Sequence, residues 1–298
     1  ANPAAKNTLL IDASASGSID GIAFGSTAKK GAYTETLLNS INLGASNDTA
    51  SLLKDAKTTA ALTLNGGDGL DQLNGNASAN TLTLKGIDTG ALDQVKFSSI
   101  ENIDLQEGND TVIIETGGHL SGRVDGGDGN NVLKVDTSLE IKINAEGSIV
   151  IGTDNANRVT NFSRFQSVEG IDNDNNDRSE RSTVTLNTNS NTVSITGSNT
   201  GTADKTGLTN ISNINLSSGD DNAILAAAGS LTGTLDAGAG TSDKLTANAS
   251  ANTLRLNKGG SGSIITAGKT QATAIKGFEE IHLDAGADIA SLTFLATT

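Results

Sequence analysis

The 298-residue chain has no cysteine, no methionine and no tryptophan, with one proline, one tyrosine and two histidines. Without cysteine there is no disulfide framework, no thiolate metal or iron–sulfur site and no thiol nucleophile. His119 and His282 alone cannot build a multi-histidine metal centre. Positive charge is short too: Lys+Arg 20 against Asp+Glu 34 gives a formal charge of −14. So acidic a chain is a poor partner for a nucleic-acid backbone or an anionic membrane surface. No apolar run reaches the roughly 20 residues a membrane-spanning helix needs, so no membrane insertion is expected. Aromatics make up 2% and hydrophobic residues 35% of the chain, too little bulk for one round core of this length. A thin core drawn out along one axis needs less, because each layer packs only on its neighbours.

What is present is repetition. Asn76-Ala-Ser-Ala-Asn-Thr-Leu82 returns unchanged as Asn248-Ala-Ser-Ala-Asn-Thr-Leu254. An apolar triplet at spacing three recurs as Phe97/Ile100/Ile103, Phe165/Val168/Ile171, Leu208/Ile211/Ile214 and Ile275/Phe278/Ile281, with a shorter form at Leu38/Ile41. Most copies run into an acidic Gly/Asn turn such as Glu107-Gly-Asn-Asp-Thr111. A third element, Leu120-Ser-Gly-Arg-Val-Asp-Gly-Gly-Asp-Gly129, matches Leu231-Thr-Gly-Thr-Leu-Asp-Ala-Gly-Ala-Gly240. Aligned on the triplets, the units repeat about every 60–70 residues, with one shorter gap.

Inside a unit, Asp48 and Asp71, Asp110 and Asn131, and Asp221 and Asp243 each stand a little over 20 positions apart. A rung of about 20 residues holds two or three short strands joined by tight turns. Short β-branched runs closed by Gly, Asn or Asp predict strands at Thr81–Lys85, Thr111–Glu115, Val132–Asp136, Glu140–Asn144, Thr183–Leu186, Thr192–Thr196 and Thr253–Leu256. Helical periodicity is weak, and Ala50–Ala61 is the best helical candidate. The expected fold is all-β: a right-handed parallel β-solenoid running through residues 1–298, with rungs stacked about 4.8 Å apart. Residues 1–36 are expected to form an N-terminal cap or first rung. The polar stretch 172–182, with Arg178 and Arg181, is expected to protrude as a loop. Open solenoid ends leave strand edges unpaired, which predicts flanking domains, caps or self-association.

Gly66-Gly-Asp-Gly-Leu-Asp-Gln-Leu-Asn74 fits the nonapeptide G-G-x-G-x-D-x-U-x at every fixed position. Gly126-Gly-Asp-Gly-Asn-Asn-Val-Leu-Lys134 fits except at Asn131, and Gly238-Ala-Gly-Thr-Ser-Asp-Lys-Leu-Thr246 keeps Asp243 and Leu245. Asn80 takes the Asp position in the copy that follows the first. The chain thus resembles the repeats-in-toxin type of β-roll, and modules of large secreted bacterial adhesins, autotransporter passengers and surface-layer proteins. In that family the Asp side chain and turn carbonyls hold calcium between rungs. The resemblance therefore implies Ca2+ as cofactor, with Asp68 and Asp71 as first ligand candidates and Asp128, Asp110 and Asp243 behind them.

A separate electrostatic expectation points the same way. Carboxylates at equivalent corners of adjacent rungs, about 5 Å apart, would repel by roughly 1 kcal/mol in water. Calcium, which takes 6–8 oxygens, would bridge them. The alternative is that Asp and Asn serve only as turn residues bonded to their own backbone. Both histidines are expected at the surface. No nucleophile motif, phosphate-cradling loop or HExxH stands out. The expected role is a non-catalytic, extracellular structural or adhesive module of a bacterial cell-surface protein. Its partners would be a cell-surface glycan or protein, or other copies of itself meeting through faces and ends. The alternative is a carbohydrate-binding or polysaccharide-degrading parallel β-helix.

Overall fold

The computed structural model describes residues 5–11, 17–20, 22–24, 40–53, 62–136, 139–144, 147–152, 159–171, 182–257 and 261–293. Of the expected cap over 1–36 only three short pieces fall among them, and the expected loop lies outside them except for Ser182. Arg178 and Arg181 are likewise outside. Regular structure among the described residues is all strand, with no helix. The seven strands expected from sequence are present within a residue or two at their ends, for example Thr81–Gly86, Thr111–Ile114 and Val132–Asp136. The best helical candidate is no helix where it is described: Thr49–Leu52 is a strand, and 54–61 lies outside the described residues. Thr49 and Ser51 alternate there with buried Ala50 and Leu52, a period of two that pleats a strand and cannot face one side of a helix.

Contacts gather into two compact units, residues 1–134 with 152–165, and residues 135–151 with 166–298. In the first, Thr8–Ile11, Thr49–Leu52, Gln72–Asn74, Asn102–Asp104, Arg123–Asp125 and Val159–Ser163 stack in chain order, each parallel to the one before. A second sheet pairs Ser40–Ala45 with Leu62–Asp68, Leu62–Asp68 with Val95–Ser98, and Thr81–Gly86 with Thr111–Ile114, all parallel. The second unit repeats the plan. Glu140–Ile143, Thr183–Thr185, Asn213–Asn215, Thr234–Asp236 and Thr273–Lys276 form one parallel stack. Thr192–Gly197, Asn222–Leu225, Lys244–Ala247 and Glu280–His282 form part of the other. Mostly parallel sheets built this way are consistent with a β-solenoid-like fold.

Alternation selects the core. In Leu62–Asp68, Leu62 and Leu64 are buried while Thr63 is exposed; in Thr111–Ile114, Val112 and Ile114 are buried. Phe97, Ile100, Ile103 and Leu105 are all buried, as are Leu208, Ile211, Ile214 and Leu216, so the spaced triplets are core ladders. Each such side chain contributes about 1.5–3 kcal/mol by leaving water.

Antiparallel pairings interrupt the parallel coil, Gly17–Ile19 with Thr8–Ile11 and Gly262–Ile265 with Thr253–Asn257 among them. Thr89–Leu92 lies antiparallel between Thr81–Gly86 and Val95–Ser98, and Thr200–Ala203 lies likewise between Thr192–Gly197 and Thr206–Thr209. Two-residue turns, Asp93-Gln94 and Asp204-Lys205, close these hairpins, with Asp93 and Asp204 at φ 52° and 49°. Asp tolerates that left-handed conformation because its short side chain bonds locally. Asp93 Oδ1 accepts from Thr81 N–H and Asp204 Oδ1 from Thr192 N–H, both at 2.8 Å.

Candidate functional site

A polar ladder runs beside the apolar one. Each of its residues stands immediately before a strand, where the backbone N–H has no partner in the parallel pairing. The side chain of the corresponding residue on a neighbouring strand supplies one. Asp48 N–H donates to Asp71 Oδ1 at 2.7 Å, and Asp71 N–H donates to Glu101 Oε2 at 2.7 Å. In the same unit Asn80 N–H donates to Asp110 Oδ1 and Asp110 N–H to Asn131 Oδ1, at 2.7 and 2.9 Å. In the second unit Asn191 donates to Asp221, Asp221 to Asp243 and Asp243 to Glu279, at 2.6, 2.7 and 2.8 Å. The three sequence spacings of just over 20 are thus direct hydrogen bonds of 23, 21 and 22 positions. Steps of 30 occur where an antiparallel hairpin intervenes.

The candidate ligands divide. Asp71, Asp110 and Asp243 are buried in these ladders. Asp68 and Asp128 are exposed and belong to neither. Asp128 faces the Arg164 guanidinium at 3.4 Å, while Arg164 Nε also donates to Asp125. Across the rungs one oxygen of each carboxylate accepts the backbone N–H of the neighbouring acid, which answers part of the repulsion foreseen from sequence. The bonds also cross from strand to strand, so these side chains are not mere local turn formers.

The second atom of each side chain behaves differently in amides and acids. Asn131 Nδ2 donates to the carbonyls of Gly126, Gly127 and Arg164 at 2.8, 3.2 and 3.0 Å. Asn191 Nδ2 reaches the carbonyls of Asn187, Asn189 and Leu216 at 3.1, 2.7 and 3.1 Å. Asn252 Nδ2 reaches those of Asn248, Ser250 and Leu283. Where Asp replaces Asn, Oδ2 is buried with no hydrogen-bond partner, at Asp48, Asp71, Asp110, Asp221 and Asp243. An acceptor has taken the position of a donor.

Gly66 shows how tight this corner is. A Cβ there would lie 2.0 Å from the Ser99 carbonyl oxygen and 2.4 Å from Asp71 Oδ2. At Gly240 it would lie 2.2 Å from the Gly219 carbonyl oxygen and 2.5 Å from Asp243 Oδ2. Only glycine fits such an approach.

Burial raises the pKa of Asp71, with the Asp48 N–H opposing and the Asp48 charge adding. Burial raises Asp110 to about 6, opposed by the Asn80 N–H and reinforced by Asp93. Asp221 and Asp243 also rise, first through burial and then through acids facing them. Asp125 moves the other way. Burial alone would lift it, but the Arg164 hydrogen bond, the Gly127 N–H and the Arg164 charge together hold it below the usual carboxylate range.

A carboxylate oxygen beside backbone carbonyls is the donor chemistry calcium takes. Asp71 with the Ser99 carbonyl, and Asp243 with the Gly219 carbonyl, are the residues that would hold it. Among the described residues no three His, Asp or Glu side chains converge, so backbone carbonyls would have to complete the shell.

Sequence reasoning missed Glu101 and Glu279 as ladder members, and missed Arg164. His119 is corrected from surface to buried, at 7% exposure, because its backbone pairs with Ile87 and with Asp88. His282 is exposed and pairs with Glu280. No protein family, no curated protein and no solved structure matches the chain.

Proposed function

We propose that the chain is a non-catalytic, extracellular structural or adhesive module of a bacterial cell-surface protein, of adhesin-stalk or surface-layer type. It would be a right-handed parallel β-solenoid with degenerate repeats of about 60–70 residues, akin to the repeats-in-toxin β-roll. Calcium at some of the acidic corners would stiffen it, and a surface glycan, a protein or further copies of the chain would be its partners. The observation that carries this reading is the side-chain-to-backbone ladder, present in both units and backed by buried apolar rows. Such a ladder spends its polar side chains on holding strands in register, the need of a spacer that bears load along its axis.

A cleft of about 430 Å³ favours a second reading, carbohydrate binding. It is lined by Ile143, Asn144, Asn187, Asn189, Asp204 and Lys205, among others. Amides, a carboxylate and an ammonium around one aliphatic side chain suit neutral hydroxyl-rich ligands.

The test is electron microscopy of the purified chain with and without millimolar calcium, beside a glycan array and a polysaccharide panel. Ordered sheets or filaments support the lattice role, and retention of one glycan by a monomer supports the adhesive one. Release of reducing ends or unsaturated products would overturn the non-catalytic reading.

A further inference from the structure

We propose that the cleft of about 430 Å³ beside the Asp204-Lys205 turn binds one neutral, hydroxyl-bearing sugar unit of a glycan, with Thr206 at its base and Asn189, Asp204 and Lys205 at its rim. This site rests on the carbohydrate-binding reading and gives it its residues and the charge class of its ligand.

The two antiparallel hairpins show why a cleft is there. In the first unit Leu92 and Val95 are in-register partners, as are Gly90 and Phe97, and the three large side chains are buried. In the second unit Ala203 and Thr206 take the places of Leu92 and Val95, and Leu208 that of Phe97. Each replacement is smaller or more polar, so space opens where the first hairpin is filled. Thr206 is only 4% exposed and lines that space. Its hydroxyl has no hydrogen-bond partner among the described residues and is not sealed from the cleft. Other buried threonines are paired: Thr266 donates to the Gly229 carbonyl at 2.9 Å, and Thr273 accepts from Leu231 N–H at 2.8 Å. A buried hydroxyl without a partner costs free energy that a ligand hydroxyl recovers.

The rim differs from the first unit in the same direction. Asp93 uses both oxygens, Oδ1 for Thr81 N–H and Oδ2 for Asn80 Nδ2. Asp204 uses Oδ1 for Thr192 N–H, while Asn191 Nδ2 turns to other acceptors and leaves Asp204 Oδ2 free. Lys205 replaces Gln94, and no ion pair among the described residues engages it. Asn189 replaces Ser78 in the Asn-x-x-x-Asn turn. Its backbone is held on both sides, with N–H donating to Asn187 Oδ1 at 2.8 Å and the carbonyl accepting from Asn191 Nδ2 at 2.7 Å. The amide side chain is thus carried on a fixed backbone with its own groups free, which lowers the cost of ordering it on a ligand.

The set of free groups selects the ligand. A carboxylate oxygen accepts, an ammonium donates, and a hydroxyl and an amide do both. A sugar hydroxyl can donate to Asp204 and accept from Lys205 at once, so neighbouring hydroxyls satisfy the rim without bringing charge. A carboxylated or sulfated sugar would be repelled by Asp204, and an amino sugar by Lys205. The volume lies toward the small end of ligand pockets, which span roughly 300–1,000 Å³.

The experiment uses the whole chain on an array of neutral, sialylated, sulfated and amino-sugar glycans, followed by calorimetric titration of the retained glycan. Wild type is compared with Thr206→Val and Lys205→Gln, which restore the first unit's residues. Wild type should retain a neutral glycan, and each variant should bind it about tenfold more weakly or worse. Without glycan, Thr206→Val should melt at or above the wild-type temperature, because no partner of the hydroxyl is lost. A lower melting temperature would show that the hydroxyl holds the fold, and would overturn its role as a ligand group. Preference for sialylated or sulfated glycans would overturn the ligand class. Retention of a neutral glycan with unchanged affinity in both variants would sink this site and leave the carbohydrate-binding reading standing elsewhere on the chain. Retention of no glycan by wild type would remove that reading and the site together.

Discussion

Residues 80–131 and 191–243 meet the same backbone requirements with different side chains. In the first stretch Ser121 N–H donates to Asp88 Oδ1 at 2.7 Å; in the second Thr232 N–H donates to Asn199 Oδ1 at 2.9 Å. Asp125 meets the Arg164 guanidinium, and the corresponding Asp236 meets Lys276 Nζ at 2.6 Å. The ladder residue before the last strand is Asn131 in one and Asp243 in the other. One carbonyl-like oxygen is present at every such position, as needed to satisfy a buried N–H. The second atom varies between donor and acceptor. Register is therefore set by the shared oxygen, while the atom beside it is a donor at Asn131 and an unpartnered acceptor at Asp243.

The comparison breaks most severely at the glycines both stretches require. A Cβ on Gly118 would lie 2.3 Å from the Leu84 carbonyl oxygen, and one on Gly229 2.2 Å from that of Ile195. Gly118→Ala and Gly229→Ala should therefore lose similar stability, about 3 kcal/mol or more, measured by urea unfolding. Unequal losses would show that the two corners are not equivalent.

Exchanging the ladder residues comes next. Asn131→Asp removes the donor from three carbonyls and should cost about 1–3 kcal/mol at pH 8, with a smaller cost at pH 5. Asp243→Asn should do the reverse and raise the pH 8 midpoint. The smallest effect is expected at Asp125, outside the ladder, whose partner Arg164 is half exposed. Asp125→Asn should cost on the order of 1 kcal/mol at pH 7, since half-exposed Arg164 remains solvated. Because the Asp125 pKa is lowered in the fold, its contribution is present above the ordinary carboxylate range and is lost on acidification. Unfolding of the variant and wild type should thus converge at low pH, with the wild type the more stable of the two at pH 7.

Much of this was legible in the chain. Strands such as Val132–Asp136 announce themselves because β-branched residues alternate with polar ones and Gly/Asn turns close them. Asp71, Asp110 and Asp243 were legible because they end Gly-rich turns at a near-constant spacing. Thr89–Leu92 was not, since Thr-Gly-Ala-Leu is short and carries no alternating bulk. Glu101 was hidden because it follows Ile100 directly and reaches the same ladder position with one more methylene, outside any glycine turn. Arg164 stands 39 positions from Asp125, and only stacking brings them together. Asp68 and Asp128 share the motif of the buried acids, yet their places in the turn point them to solvent.

Cross-linking tests the stacked register most directly, because the chain carries no native thiol to interfere. Thr49 is the in-register partner of Gln72, and Gln72 that of Asn102. The double variant Thr49→Cys with Gln72→Cys should close a disulfide on mild oxidation, since adjacent parallel partners lie within disulfide reach. Thr49→Cys with Asn102→Cys, one strand further, should remain reduced. A closed bond in the second variant and free thiols in the first would contradict the winding on which the ladder depends.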